Sequence, residues 1–178
     1  THGMAHSLGT VLDAAVAMQD DNDIRFVLLG DGAEKPALRA RAAKLGLTNV
    51  QFLDSVSRVE VPRYWSLLDA SLIHLRKADL FKTVIPSKLF ECMAMGLPVL
   101  HGVEGESAEI VRETQVGVVF PSEDARALET EIRHLKDDVD HRNRLAANGP
   151  KAAKLFDRKR LAADMMTRLE TLVTGEKP

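Results

Sequence analysis

The sequence predicts an α/β protein built on a doubly wound parallel sheet. Three observations carry that prediction. Five short apolar runs recur along the chain: Ile24–Leu29, Asn49–Leu53, Ala70–Leu75, Pro98–Leu100 and Val116–Phe120. Segments with the 3.6-residue apolar spacing of helices separate them. The runs are continuous rather than alternating, as in parallel strands covered on both faces. Such folds bind ligands at the loops leaving the carboxyl ends of the strands, here those after Leu29, Leu53, Leu75 and Leu100.

In chain order, Thr1 to Ser7 reads as loop and Leu8 to about Met18 as helix, with Val11, Leu12, Ala15 and Met18 on one face. Gly30-Asp31-Gly32 closes the first strand, and a charged helix runs from about Glu34 to Leu45. Ser55 to Arg58 is a loop and Val61 to Leu68 a helix. Arg76 to Val84 is an irregular polar loop. A helix opened by Pro86 and Ser87 ends at Gly96, since proline suits a first turn, serine can cap an N–H and glycine takes the left-handed conformation. Glu106 to Glu113 is a further helix. From Ser122 onward the chain reads as helical, with breaks near Asp137–Asp140, Asn148–Pro150 and Phe156–Arg158. A doubly wound unit begins with a central strand, yet this chain begins with a loop and a helix. The absence of an initial methionine suggests a fragment; either the first strand lies upstream or the fold is arranged differently from this order.

Composition narrows the function classes. The chain has 178 residues, 45% hydrophobic and 28% charged, with 24 Lys and Arg against 26 Asp and Glu. That balance argues against general nucleic-acid binding, which needs a basic surplus. Cys92 is the only cysteine, so no internal disulfide forms, a reducing compartment is expected and the thiol reads as a packing group. No run of about 18 apolar residues is present.

Several residues are candidates for chemistry. Lys88 and Glu91 lie one turn apart on the polar face of the Pro86–Met95 segment, opposite Leu89, Phe90, Met93 and Ala94. A cation near a helix N-terminus suits phosphate and a carboxylate suits hydroxyls; an exposed i, i+3 ion pair explains the same spacing equally well. Gly30 and Gly32 flank a turn that is either an anion cradle of backbone N–H groups or simply tight. Gly3 could serve the same purpose at the end of the absent strand. Ser57 and Arg58 read as either a nucleotide contact or a solvated turn. His2 and His6 flank a loop without a third ligand, and no metal is expected.

Taken together, these segments resemble a family. Val27-Leu28-Leu29-Gly30-Asp31-Gly32, Asn49-Val50-Gln51-Phe52-Leu53, the stretch from Pro86 to Val99, Glu106-Ser107-Ala108-Glu109-Ile110-Val111 and Gly117-Val118-Val119-Phe120-Pro121 follow the order of the C-terminal, donor-binding domain of retaining GT-B glycosyltransferases, family four. The nearest pattern is that of bacterial surface-polysaccharide, O-antigen and fucosamine transferases. The resemblance implies a Rossmann-like half of a GT-B fold spanning residues 1–178, with residues 157–178 as a C-terminal helix returning toward an upstream acceptor domain. It implies a nucleotide-sugar donor, UDP- or GDP-linked, a saccharide or lipid-linked acceptor, no metal cofactor, and a cytoplasmic enzyme at the inner membrane face. It gives Glu91 the ribose hydroxyls as the second glutamate of an E-x7-E motif, and Lys88 the departing diphosphate. Gly3, His6, Gly30, Gly32, Ser57, Arg58, Ser87 and Leu89 fall on donor-lining positions. The first motif glutamate is replaced by Thr83, and the lysine expected after the first loop by His6. Phosphate neutralisation then rests on Lys88, or on His6 when protonated. A sugar-nucleotide epimerase of similar fold and a non-catalytic nucleotide-binding module are the alternatives.

Overall fold

The computed structural model describes residues 2–175; Thr1 and the end of the expected 157–178 segment lie outside the described residues. Five strands form: β1 (Phe26–Leu29), β2 (Val50–Leu53), β3 (Ser71–His74), β4 (Val99–Gly102) and β5 (Gly117–Val119). Helices α1 (Gly9–Ala17), α2 (Lys35–Lys44), α3 (Val61–Trp65), α4 (Lys88–Met95) and α5 (Glu106–Thr114) alternate with them. Helices α6 (Ala125–Asp137), α7 (Val139–Ala153) and α8 (Arg158–Thr174) complete the chain. All strand pairings are parallel, as the sequence predicts.

One feature differs from a single sheet. β1 pairs with β2, and β3 with β4 and β5, but β1 and β3 do not pair, so the five strands make two sheets.

Alternation along the strands divides the interior in two. Leu28 and Leu100 face one apolar core with Val11 and Leu12 of α1, Leu128 and Leu135 of α6 and Leu145 of α7. Ile73 and Val99 face the other, with Leu89, Cys92 and Met93 of α4 and Val111 of α5. β4 is buried at every residue, whereas the described residues of β2 are half-buried or exposed.

Local departures from the sequence reading have physical causes. No helix break occurs at Asn148–Pro150; Pro150 lies inside α7. Gly149 lets that helix approach α4 closely, since a Cβ there would stand 2.6 Å from the Met93 carbonyl oxygen. This packing outweighs the local cost of a helical proline. The breaks after Asp137 and before Arg158 form as expected, where Asp138 accepts from the His141 N–H and Asp157 from those of Lys159 and Arg160. α3 ends at Trp65 rather than Leu68, and the loop after β3 contains a 3-10 turn over Asp79–Thr83. Cys92 is fully buried in α4, consistent with a packing thiol, whereas Ala94 is exposed and so leaves the expected apolar face.

Candidate functional site

Three segments meet at the carboxyl ends of the strands: Gly3–Ser7, where Met4–His6 form a 3-10 turn rather than the expected loop, the Gly30–Gly32 turn and the loop after β3. The N-terminal segment crosses between the two sheets there. The His2 N–H donates to the Asp31 carbonyl at 2.9 Å, and the Arg76 N–H donates to the Ala5 carbonyl at 2.8 Å. Gly32 permits the first approach, since a Cβ on it would lie 2.6 Å from the His2 backbone.

A polar network, part-buried at the His74 ring and exposed at Glu123, fixes the loops around His74, the last residue of β3. Its Nδ1 contacts the His6 carbonyl at 2.9 Å, and its Nε2 accepts from the Glu123 N–H at 2.9 Å. Nδ1 therefore carries the proton and the ring is neutral. Burial lowers the His74 pKa, against the opposing pull of the His6 carbonyl and the Glu123 charge. The ring stacks on Phe120, and Gly102 makes room, because a Cβ there would stand 2.5 Å from both rings. The Glu123 carboxylate accepts from the Ser7 hydroxyl at 2.7 Å and the Lys77 N–H at 2.8 Å, which lowers its pKa. Three loops are thus held by two side chains.

The Gly30–Gly32 turn is closed by its own groups. The Gly30 N–H donates to the Leu53 carbonyl, and the Gly32 N–H to the Asp31 carboxylate at 2.8 Å. The Lys35 ammonium, almost wholly buried, donates to the carbonyls of Gly30 and Leu53 and pairs with Asp54 at 2.8 Å. That contact lowers the Asp54 pKa. Neither glycine amide is open to an anion in this arrangement. In the next loop, the Ser57 hydroxyl and N–H both donate to the Glu60 carboxylate, at 2.6 and 3.1 Å, and Arg58 is exposed.

The start of α4 is arranged the opposite way. Leu89 is fully buried and Phe90 packs on Phe156 with ring centroids 4.8 Å apart. Lys88 and Glu91 are exposed, and among the described residues neither side chain is ion-paired or hydrogen-bonded, so the i, i+3 pair is not formed. Ser87 occupies the N-cap position without capping: its backbone is already helical, at φ −58° and ψ −28°, so the hydroxyl does not reach back over the first turn. The amides of Leu89, Phe90 and Glu91 donate to Pro86 and Ser87. Those of Ser87 and Lys88 have no protein acceptor among the described residues.

His6 lies beside this helix end, within reach of the Lys88 charge. Burial lowers its pKa most, its ring bond to the His74 carbonyl opposes that, and Lys88 lowers it further. Burial therefore favours neutral His6 near pH 7. Glu34, whose charge acts on His6, has a carboxylate oxygen buried without a partner. Thr83 is exposed at the end of the 3-10 turn and donates to the Leu80 carbonyl. Gly3 is extended and would accept a Cβ without conflict. Lys35, His74 and Glu123 were not singled out by the sequence. A buried lysine in an Ala-rich charged helix and a histidine ending an apolar strand carry no spacing signature.

The sequence profile of group 1 glycosyl transferases matches residues 8–152. The chain belongs to the group 1 glycosyl transferases. Among curated relatives, a phosphatidyl-myo-inositol mannosyltransferase of Mycobacterium leprae is 27% identical over 94% of this chain and 44% of its own length. An alpha-D-kanosaminyltransferase of Streptomyces kanamyceticus is 28% identical over 76% of this chain and 34% of its own. The chain thus spans less than half the length of these relatives. Among solved structures, Anabaena HepE in complex with UDP superposes with a TM-score of 0.80 at 20% identity, over 93% of this chain and 45% of that one. WaaG, a glycosyltransferase of lipopolysaccharide biosynthesis, gives 0.72 over 92% of this chain and 44% of that one. The α/β fold is that of GT-B glycosyltransferases, as expected from the sequence. No described helix is long and apolar enough to cross a membrane, and no described cluster of three or more His, Cys, Asp or Glu is arranged to hold a metal ion.

Proposed function

We propose that this chain is the donor-binding part of a retaining glycosyltransferase that moves a sugar from a nucleotide to a saccharide or lipid-linked acceptor in cell-surface polysaccharide synthesis. The observation that carries this reading is the start of α4. A cation, a carboxylate and two backbone N–H groups stand there without protein partners, on a helix whose other face is locked into the core. Glu91 accepts the two ribose hydroxyls, a task for an acceptor-only group. Lys88 and the amides of Ser87 and Lys88 face the diphosphate, which gains negative charge as the bond from sugar to phosphate breaks. The donor nucleotide is UDP or GDP, and the likeness to HepE, solved with UDP, supports the first.

The acceptor site belongs to a domain upstream of this chain, at the cytoplasmic face of the membrane, and no metal takes part. The apolar stripe of Leu161, Met165, Leu169 and Leu172 on α8, exposed at every position, packs against that domain. By itself the chain binds the nucleotide weakly and transfers nothing. Calorimetry of the chain against UDP, GDP and ADP checks the donor site: saturable heat with one of them is expected. No heat with any, at millimolar concentration, contradicts it, and so does sugar transfer by these 178 residues alone.

A further inference from the structure

Among the described residues, three with side chains have a left-handed backbone: Ser7 at φ 44°, Gln115 at φ 49° and Glu123 at φ 62°. Two of them are joined to each other, the Ser7 hydroxyl donating to the Glu123 carboxylate at 2.7 Å. This conformation favours glycine, and residues held in it against that preference cluster at functional sites. Glu123 lies in the short connection between β5 and α6, where glycine would make the same turn with less strain. What glycine would lack there is the carboxylate.

That carboxylate is poorly placed to stabilise the fold. Glu123 is exposed, and hydrogen bonds open to water contribute little net stability. Its partners instead belong to the two segments beside the start of α4. The Ser7 hydroxyl lies next in the chain to His6, and the Lys77 N–H, which donates to the same carboxylate at 2.8 Å, lies in the loop that leads into α4.

The backbone of Glu123 acts on the same place. Its N–H donates to His74 Nε2, which leaves the His74 proton on Nδ1 and directs it to the His6 carbonyl at 2.9 Å. The His6 ring returns the contact, with its Nδ1 3.3 Å from the His74 carbonyl. The Arg76 N–H closes the set by donating to the Ala5 carbonyl at 2.8 Å. His6 is thus gripped at its carbonyl, at its ring and through the residue after it, at a place the Lys88 charge reaches. We propose that Glu123 is a positioning residue for the donor diphosphate: it sets His6 and the loop before α4 against the first turn of that helix. It acts through those two segments rather than by touching the nucleotide, because a carboxylate laid against a diphosphate would repel it. The inference rests on the reading of the first turn of α4 as the donor site.

Calorimetry of the 178-residue chain with UDP and UMP, and with GDP and GMP, tests it. Glu123→Gly keeps the left-handed turn and removes the carboxylate. It should weaken the diphosphate that the chain prefers about fivefold and the matching monophosphate less than about twofold, because the second phosphate meets the positioned segments. Its Tm should stay within about 3 °C of the wild-type value, so that the loss is one of placement and not of folding. Glu123→Gln can remake both bonds, its amide oxygen accepting from Lys77 and its NH2 donating to the Ser7 hydroxyl. It should therefore return affinity to within about twofold of wild type. Full diphosphate affinity in Glu123→Gly overturns the proposal, and so does equal weakening of diphosphate and monophosphate. A Gln variant as weak as the Gly variant also overturns it, by assigning the effect to charge. Absence of binding by the wild-type chain would contradict the donor site itself and this inference with it, which separates that failure from the other three.

Discussion

The Gly30–Gly32 turn and the first turn of α4 begin as equivalent candidates, each a strand-adjacent turn with backbone N–H groups and nearby charge. In the first, both glycine amides are bonded within the protein, and Lys35 holds two carbonyls and Asp54. In the second, Lys88, Glu91 and two amides have no protein partner among the described residues, although Leu89, Cys92 and Met93 of the same helix are fully buried. The difference separates a structural clamp from the surface proposed to receive the nucleotide. A charge answered at home contributes stability, whereas a charge on a rigid support without a partner is available to a ligand.

Buried polar groups set the largest expected effect on stability. His101 is fully buried in β4; its Nε2 meets the Ser107 hydroxyl at 3.0 Å and its Nδ1 has no partner. Burial, helped by the Arg112 charge, lowers its pKa from 6.5 to about 4. The unfolded chain then binds the extra proton first, so the stability from neutral His101 is complete above about pH 6.5 and declines as pH falls through about 4. At about 1.4 kcal/mol per pH unit, the full loss is ~3 kcal/mol. Urea melts between pH 7 and 4 should show this decline, and the double variant His101→Leu with Ser107→Ala, which removes both partners of the bond, should flatten it. An unchanged slope would show that other groups carry the acid sensitivity.

The clamp comes next. Lys35→Met keeps the buried stem and removes the ammonium, leaving the carbonyls of Gly30 and Leu53 without that donor. A loss of ~2 kcal/mol in urea melts is expected, most of it from the two carbonyls, because Asp54 is solvent-exposed. Nucleotide affinity should change little once the variant is folded. A variant of normal stability that no longer binds would reverse the assignment and make the turn the receptive surface.

Much of this was legible in the sequence. Parallel strands, helices at the expected places and a packing role for Cys92 follow from apolar runs, glycine stops and one cysteine within an apolar face. The division of the five strands into two sheets was not legible, because apolar runs mark strands without saying which edges pair. The site was legible only in part. Periodicity places Lys88 and Glu91 on the polar face of α4, but it cannot distinguish an ion pair from two unpartnered charges; that depends on rotamers. The closure of the Gly30–Gly32 turn depends on Lys35 folding back under it and on His2 arriving from another segment. His74 and Glu123 meet only because three loops converge, a contact across 49 residues that no local pattern encodes.

The most direct test of the receptive surface measures folding and nucleotide binding in the same variants. Lys88→Ala and Glu91→Ala should each alter stability by less than ~0.5 kcal/mol, as exposed side chains without partners do. By calorimetry, each should weaken binding of the preferred nucleotide at least tenfold. Glu91→Ala should lower affinity for the nucleotide more than for its 2′,3′-dideoxy analogue, which lacks the ribose hydroxyls. Full affinity for the nucleotide in both folded variants would contradict the account.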